Sequence, residues 1–273
     1  MTEHTIRRIV FACDAASDIQ GAVEGAAALA SRWRAALHGV FLQDENLYRL
    51  ASLPFGRQVT LSSAVTEDFN VDELEKITST LESAMRRTLA DAAAKRGLEW
   101  SFGVVRDFPT AAALTDIEGD ILVVQGTTRP FSGAWRLRSP WESLPEDYGR
   151  AILIRREHGS LAGPVVLLLG NGNDTERILR VSFAMTEPDD AVVILVREEE
   201  SSRLERVRQI TESLESAHRR KVRLEASPTE PARVLHRIER LKPSLLIIDS
   251  GGLERRNVHE LITGSHCDVF LVR

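Results

Sequence analysis

Apolar and polar positions along the chain follow two different periods. Short runs of consecutive apolar residues, such as RRIVFACD near the N-terminus and GDILVVQG at residues 119–126, predict buried strands. Between such runs, apolar residues three and four positions apart predict amphipathic helices. The longest of these helices is predicted over residues 71–97, where Gly97 is a natural helix end.

The order of these elements repeats. Five strands are predicted in the first half (RRIVFACD, LHGVFLQD, WSFGVVRD, GDILVVQG and RAILIRR) and five in the second (GPVVLLLG, DAVVILVRE, KVRLEAS, PSLLIIDSG and CDVFLVR). A short helix is predicted in PTAAALTDIEG of the first half, and helices over residues 175–185, 201–219, 231–241 and 253–263 separate the strands of the second. Continuous apolar strands alternating with amphipathic helices are typical of parallel sheets covered on both faces.

The sequence therefore predicts an α/β protein of two tandem doubly wound α/β sandwiches, each with a five-stranded, mainly parallel sheet. We place the domain boundary in a short polar stretch at residues 158–160. This gives a first domain of residues 1–158, with long loops after its second and fourth strands, and a shorter second domain of residues 159–273.

Composition narrows the range of partners. The net charge of the 273-residue chain is -5 and its basic residues form no tract, so we expect no nucleic-acid partner. Apolar runs such as residues 191–196 are far shorter than the ~20 residues that a bilayer crossing requires, so we expect no membrane span. The N-terminus lacks the pattern of a signal peptide, which predicts a cytoplasmic location. Cys13 and Cys267 lie at or beside apolar strands and are expected to be small buried hydrophobes.

Four segments together resemble a tandem universal stress protein of the UspA-like family. They are IVFACDAAS entering an Ala-rich helix, LHGVFLQDENL, GDILVVQG, and the terminal LLIIDSGG followed by CDVFLVR. The resemblance implies the adenine nucleotide alpha hydrolase-like fold and a role in stress response. It also implies an internal pseudo-dimer, present as a monomer or a homodimer, because the edge strands RAILIRR and CDVFLVR match those that pair across the dimer axis in this family.

The nucleotide-binding branch of that family carries the loop G-x2-G-x9-G-[ST] after strand four. The matching positions here are Gly251, beside Gly252, then Glu254 in place of the second glycine, and Gly264 with Ser265. Glu254 would bring a negative charge and a restricted φ to a phosphate site, and Gly264 is expected to end a helix as a left-handed cap. The resemblance therefore implies a degenerate phosphate loop, with no cofactor or only weak binding of ATP or another adenine nucleotide.

The acid that faces the nucleoside in this family matches Asp14 in the first half and Gly170 in the second. In the first half, Arg129 and Pro130 stand where flexible glycines are expected. Each half thus keeps a different fragment of the family's site.

Two segments of the first half, residues 44–61 and 127–149, combine aromatic residues with arginines. Both follow strands whose carboxyl ends should lie at one sheet edge, where ligands bind in doubly wound folds. The candidate ligand-binding residues are Asp14, Val40, Tyr48, Arg49, Arg57, Gly126, Arg129, Trp135, Arg136 and Arg138. The segments either cover the sheet end and join the halves, bind a small anionic metabolite, or bind a protein partner that the sequence does not identify.

No catalytic or metal site is predicted. The chain lacks G-x-S-x-G, and in the run from Ser265 through His266 to Cys267 adjacent side chains should point to opposite faces. The seven histidines lack zinc-site spacing. We therefore expect a cytoplasmic, non-enzymatic stress-response protein that acts by binding a ligand or a protein. The alternatives are an adenine-nucleotide sensor that uses the first-half site and a structural adaptor or dimerisation module.

Overall fold

A computed structural model of the chain describes most of its residues. These are 6–14, 18–54, 57–60, 65–68, 70–107, 117–126, 151–156, 163–170, 175–186, 190–197, 201–218, 221–251 and 253–272. The chain divides into two compact units, Met1–Tyr148 and Gly149–Arg273. This division assigns the strand at residues 151–156 to the second unit, whereas the boundary expected from the sequence assigns it to the first.

The first unit contains a parallel sheet. Its elements are β1 (Arg8–Asp14), α1 (Ile19–Trp33), β2 (Ala36–Asp44), α2 (Glu45–Ala51), β3 (Arg57–Thr60), β4 (Val65–Asp68), α3 (Val71–Arg96), β5 (Trp100–Asp107) and β6 (Ile121–Gly126). The parallel strands lie in the order β6-β1-β2-β5, while β3 and β4 form a separate antiparallel pair. The chain order therefore reverses between β1 and β6, as in doubly wound folds.

Helix α3 ends where the sequence predicts. Asn70 caps its N-terminus by accepting a hydrogen bond from the Glu73 N–H, and Gly97 ends it with a φ of 62°. The helix packs closely on β2 because Gly39 has no side chain: a Cβ there would lie 2.6 Å from a Leu89 methyl group. The short helix predicted in PTAAALTDIEG falls largely outside the described residues.

The segment after β2 differs from the irregular loop expected from the sequence. It forms α2, whose N-terminus is capped by the Asp44 carboxylate, and the hairpin of β3 and β4. Tyr48 and Ala51 of α2 are buried against Leu74 of α3, so α2 has a small core of its own. Seven residues give too short an apolar pattern for the helical period to stand out.

The described strands of the second unit form a sheet with more strands than that of the first. Its elements are β7 (Ala151–Arg156), β8 (Val165–Leu169), α4 (Thr175–Met185), β9 (Val192–Arg197), α5 (Ser201–His218), β10 (Val222–Ser227), α6 (Pro231–Leu241), β11 (Leu245–Asp249), α7 (Arg255–Gly264) and β12 (Asp268–Val272). The strand order is β10-β9-β8-β11-β12-β7. All neighbours are parallel except β7 and β12, which pair antiparallel with Leu153 opposite Phe270. The two edge strands singled out in the sequence therefore pair within the chain.

Several predicted bounds in this unit are confirmed. Helices α4 and α6 coincide with the predictions, α5 ends one residue early, and α7 begins at Arg255 instead of residue 253. Every residue of β8 is buried, whereas only the last residue of β10 is. Among the described residues, no helix is long and apolar enough to cross a membrane.

Candidate functional site

The crevice of the second unit lies where β8 and β11 run side by side and the chain order reverses. Gly170 follows β8, and Asp249 ends β11. Ligands of doubly wound proteins bind outside the carboxyl ends of the strands at such a point. A nucleotide site of the second unit would therefore lie in this crevice.

The Asp249 carboxylate lies at this crevice, at the end of β11. Its side chain is fully buried, and its two oxygens accept hydrogen bonds from the N–H of Gly170, at 3.1 Å, and of Gly251, at 3.0 Å. A Cβ on Gly170 would lie 2.5 Å from the Asp249 carbonyl oxygen and 2.6 Å from that of Gly251. The backbone thus closes over Gly170, and the N–H of Gly251, a donor of the expected phosphate loop, already bonds to an internal anion.

Glu254 lies at the start of α7. It is the N-cap of α7 with a φ of -64°, which any residue adopts, and its side chain makes no capping hydrogen bond. The predicted effect of Glu254 on a phosphate site, through its negative charge and its restricted φ, stays a prediction.

Gly264 ends α7, as predicted, but not as a left-handed cap, because it is not among the described glycines with positive φ. Its lack of a side chain serves packing instead: a Cβ would lie 2.9 Å from a methyl group of Leu235 on α6. The Ser265 N–H donates to the Ile262 carbonyl, and the Ser265 hydroxyl donates to the Leu261 carbonyl. These donors close the helix end and are not directed at a ligand. Gly252 lies outside the described residues.

The corresponding crevice of the first unit lies between β1 and β6. Asp14 ends β1 and is half-buried, while Gly126 ends β6 on the adjacent strand. The two predicted residues therefore meet at the point where the chain order reverses. Val40 is fully buried in the middle of β2, so it contributes to the core beneath this edge.

Gln125, one residue before the end of β6, was missed in the sequence. Its side chain is 5% exposed, and its Oε1 has no hydrogen-bond partner among the described residues. A buried acceptor without a partner costs free energy, so such a group needs an explanation. No periodicity marks it, because it occupies an ordinary strand position.

Tyr48 is buried and does not lie on the surface. Its hydroxyl lies 2.9 Å from Thr78 Oγ1, and the Arg106 guanidinium lies over its ring at 3.9 Å from the centroid. Arg49, the next residue, is exposed and 3.9 Å from Glu45. The two predicted neighbours therefore do not act together, and Arg106, which the sequence reading overlooked, is the cation that contacts the tyrosine.

Other predicted residues are described only in part. Arg57 begins the strand β3, and its side chain is outside the described set. Arg129, Trp135, Arg136 and Arg138 all lie outside the described residues, so their roles stay predictions. Within the described chain, no three His, Cys, Asp or Glu side chains form a group that could hold a metal.

Both cysteines are buried, as expected, and they form no disulfide within the described chain. Burial raises the pKa of the Cys267 thiol to about 11, and the Asp268 carboxylate adds to that rise. His266 is exposed beside it, and Ser265 is engaged with the helix end. The three residues are not arranged as a nucleophile and its base.

No protein-family model matches the sequence. No curated protein matches it either. Among solved structures, a universal stress protein from Archaeoglobus fulgidus is similar with a TM-score of 0.62 at 12% identity, covering 97% of this chain and 96% of the other. A protein of unknown function from Pseudomonas aeruginosa PAO1 is similar with a TM-score of 0.59 at 14% identity, covering 98% and 92%. A protein assigned to the universal stress proteins in Pseudomonas aeruginosa UCBPP-PA14 has a TM-score of 0.55 at 14% identity, covering 98% and 93%.

These structural similarities define the fold class of the chain. The chain has an α/β fold with mostly parallel strands, of the adenine nucleotide alpha hydrolase-like type. Within that class, its fold is that of the universal stress proteins, which confirms the resemblance expected from the sequence.

Proposed function

We propose that the protein is a stress-response protein that binds a small ligand in the crevice of its first unit, acts without catalysis, and does not bind ATP tightly. The observation that carries this proposal is the contrast between the two crevices. At the crevice of the second unit, the buried Asp249 carboxylate accepts from two backbone N–H groups, whereas the buried Gln125 oxygen at the corresponding strand position of the first unit has no partner among the described residues.

Closure of the second crevice argues against a nucleotide there. A phosphate would have to displace a buried carboxylate from two backbone N–H groups, and hydrogen bonds to a charged acceptor contribute about 1.5 to 3 kcal/mol each. The Ser265 N–H is bonded to the Ile262 carbonyl of α7. A phosphate would therefore gain few donors and would meet the negative charge of Glu254.

The first crevice favours a ligand that donates hydrogen bonds. The Gln125 Oε1 is an acceptor, and Asp14 ends the neighbouring strand with a carboxylate. Hydroxyl and amino groups, such as those of a nucleoside, satisfy such acceptors, whereas phosphate oxygens do not. An adenine-nucleotide sensor therefore remains the second candidate, with the nucleoside as the part recognised and Arg129 as the predicted phosphate contact.

The absence of catalysis is part of the same proposal. Because the pKa of Cys267 is raised to about 11, its thiol is protonated at neutral pH and is a poor nucleophile. The adaptor hypothesis draws support from the β7 and β12 pairing, which occupies one edge of β12. A protein partner at the aromatic segments and the cytoplasmic location stay predictions.

The test is calorimetric titration of adenosine, AMP and ATP, preceded by mass spectrometry of the natively purified protein for a retained ligand. We expect adenosine to bind at least as tightly as ATP and Asp14→Asn to weaken both. Micromolar ATP binding that Asp14→Asn leaves unchanged and Gly251→Ala abolishes would contradict the proposal.

A variant of Gln125 gives an independent readout. Gln125→Met has a similar size and no acceptor oxygen, so it should stabilise the ligand-free protein by about 1 kcal/mol, because an unpaired buried acceptor is removed. Gln43→Met is the matched control, since the Gln43 oxygen accepts from Arg106 at 3.0 Å. This control should destabilise the protein. If Gln125→Met destabilises the protein as much as Gln43→Met does, the Gln125 oxygen has a partner and the proposed ligand site loses its support.

A further inference from the structure

A second group of polar side chains lies at the opposite edge of the first unit, near the amino ends of three adjacent strands. His38 of β2 and Ser101 of β5 are register partners, and Arg8 begins β1 on the other side of β2. His38 Nδ1 lies 2.7 Å from Ser101 Oγ, and Arg8 Nη2 donates to the same oxygen over 3.5 Å. All three side chains are half-buried, so they are partly shielded from water and still accessible.

This cluster contains several hydrogen-bond donors, and no carboxylate of the described residues bonds to its side chains. The Asp120 carboxylate bonds to the backbone beside the cluster: its Oδ2 accepts from the N–H groups of Arg7 and Arg8. Among the described residues, no carboxylate forms an ion pair with the Arg8 side chain. The positive charge of Arg8 is therefore not neutralised by a partner in the described chain.

Gly103 leaves one side of the imidazole uncovered. A Cβ at this position would lie 3.7 Å from both Cε1 and Nε2 of His38, which is ordinary contact distance. When Nδ1 accepts the Ser101 hydroxyl proton, Nε2 carries the other hydrogen and is a donor. No described residue accepts from Nε2, so it is a second donor in the cluster beside the Arg8 guanidinium.

We propose that Arg8, His38 and Ser101 form a binding site for a small tetrahedral oxyanion, phosphate or a phosphate monoester. Arg8 supplies the charge and N–H donors, Nε2 of His38 supplies a second donor, and Ser101 holds both side chains in place. The site lies at the amino ends of the strands, away from the crevice at Asp14 and Gln125, and does not depend on the function proposed for that crevice.

The site should depend on pH. Burial lowers the pKa of His38, and the positive charge of Arg8 lowers it further. The neighbouring carboxylates are Asp120, before β6, and Glu99, before β5. A bound anion favours the imidazolium, so it should raise the pKa of His38, and its affinity should increase as pH falls towards the pKa of the free protein.

The experiment follows the imidazole signals of His38 by NMR, assigned with His38→Gln, during titration with inorganic phosphate. We expect a saturable shift of His38, while the exposed His236 of the second unit does not move. Sulfate, whose charge is constant over this range, should bind more tightly at lower pH. Methyl phosphate then distinguishes the source: a similar affinity indicates a monoester, and a much weaker one indicates free phosphate.

Two variants separate the site from general charge effects. Arg8→Gln should weaken phosphate binding at least about tenfold, since hydrogen bonds to charged groups are strong, whereas Arg7→Gln, an exposed neighbour, should leave it unchanged. Gly103→Ala should also weaken binding, because its methyl group would cover Nε2 without removing a donor. Thermal unfolding confirms that each variant is folded. Absence of a saturable shift, or equal losses in the Arg7 and Arg8 variants, would overturn the proposal.

Discussion

The Asp249 carboxylate should be one of the most important polar side chains for the stability of the second unit. In Asp249→Ala, the N–H groups of Gly170 and Gly251 lose their acceptor, which lies at 3.1 and 3.0 Å in the wild type. Hydrogen bonds to a charged acceptor contribute about 1.5 to 3 kcal/mol each, but removing the carboxylate also removes the cost of burying it. We therefore expect the second unit to lose about 3 kcal/mol of stability, close to the value of a single strong bond.

Asparagine is an informative second replacement. Its side chain has the shape of aspartate but only one acceptor oxygen, so its amino group would face one of the two N–H groups. Asp249→Asn should therefore lose about 2 kcal/mol, more than half of the effect of alanine. A packing role alone would leave the asparagine variant close to the wild type.

Urea unfolding measures the change, and amide hydrogen exchange locates it. A loss of about 3 kcal/mol corresponds to roughly a hundredfold faster exchange at Gly170 and Gly251, if exchange follows the opening of the second unit. Glu205→Gln is the control, because Glu205 is exposed and forms a surface pair with Arg208 at 3.3 Å, worth about 0.5 kcal/mol or less. Unchanged exchange at both glycines in Asp249→Ala would refute the reasoning.

Three further predictions concern the C-terminal segment. Glu254→Gly should not create ATP binding, measured by calorimetry, because Gly264 and Ser265 still end α7, with the Ser265 N–H bonded to the Ile262 carbonyl; a micromolar affinity would contradict this. Gly264→Ala should destabilise the protein to urea by about 1 kcal/mol, since the new methyl group would lie 2.9 Å from Leu235. The pKa of Cys267 is about 11 in the folded state, above that of the unfolded thiol. Stability should therefore fall between pH 9 and 11, where the thiol ionises in the unfolded chain but not in the folded one. Cys267→Ala should show a shallower fall over this range; an equal slope would assign the change to other groups.

The sequence predicted best those elements whose burial follows a local period. The bounds of α4 and α6 were correct because each helix has an apolar face that alternates with charges over eleven residues. Helix α2 was missed because its apolar residues are few and it is stabilised by packing on α3, which is distant in sequence. Tyr48 was assigned to a recognition surface for the same reason, since its contact with Thr78 spans thirty residues.

The candidate site was predictable where it depends on the ends of strands. Asp14 and Gly126 were placed correctly at one edge, because carboxyl ends of parallel strands meet there. Asp249 was missed because the family pattern places the acid at the end of the first strand, where the second half has Gly170. Its role depends on a contact 79 residues away along the chain, which no local pattern reveals.

The sheet register explains why the two crevices differ. Val124 pairs with Ala12 in the first unit, and Ile248 pairs with Leu168 in the second, so Gln125 and Asp249 occupy corresponding positions at the ends of their strands. Both side chains are buried. In the second unit the position after the first strand is glycine, so the loop backbone approaches and gives Asp249 two N–H partners. In the first unit that position is Asp14, and Gln125 has an acceptor without a partner in the described chain. Gly170 in the second unit, where the first unit has Asp14, thus accompanies the difference between a hydrogen-bonded buried carboxylate and a buried acceptor without a partner in the described chain.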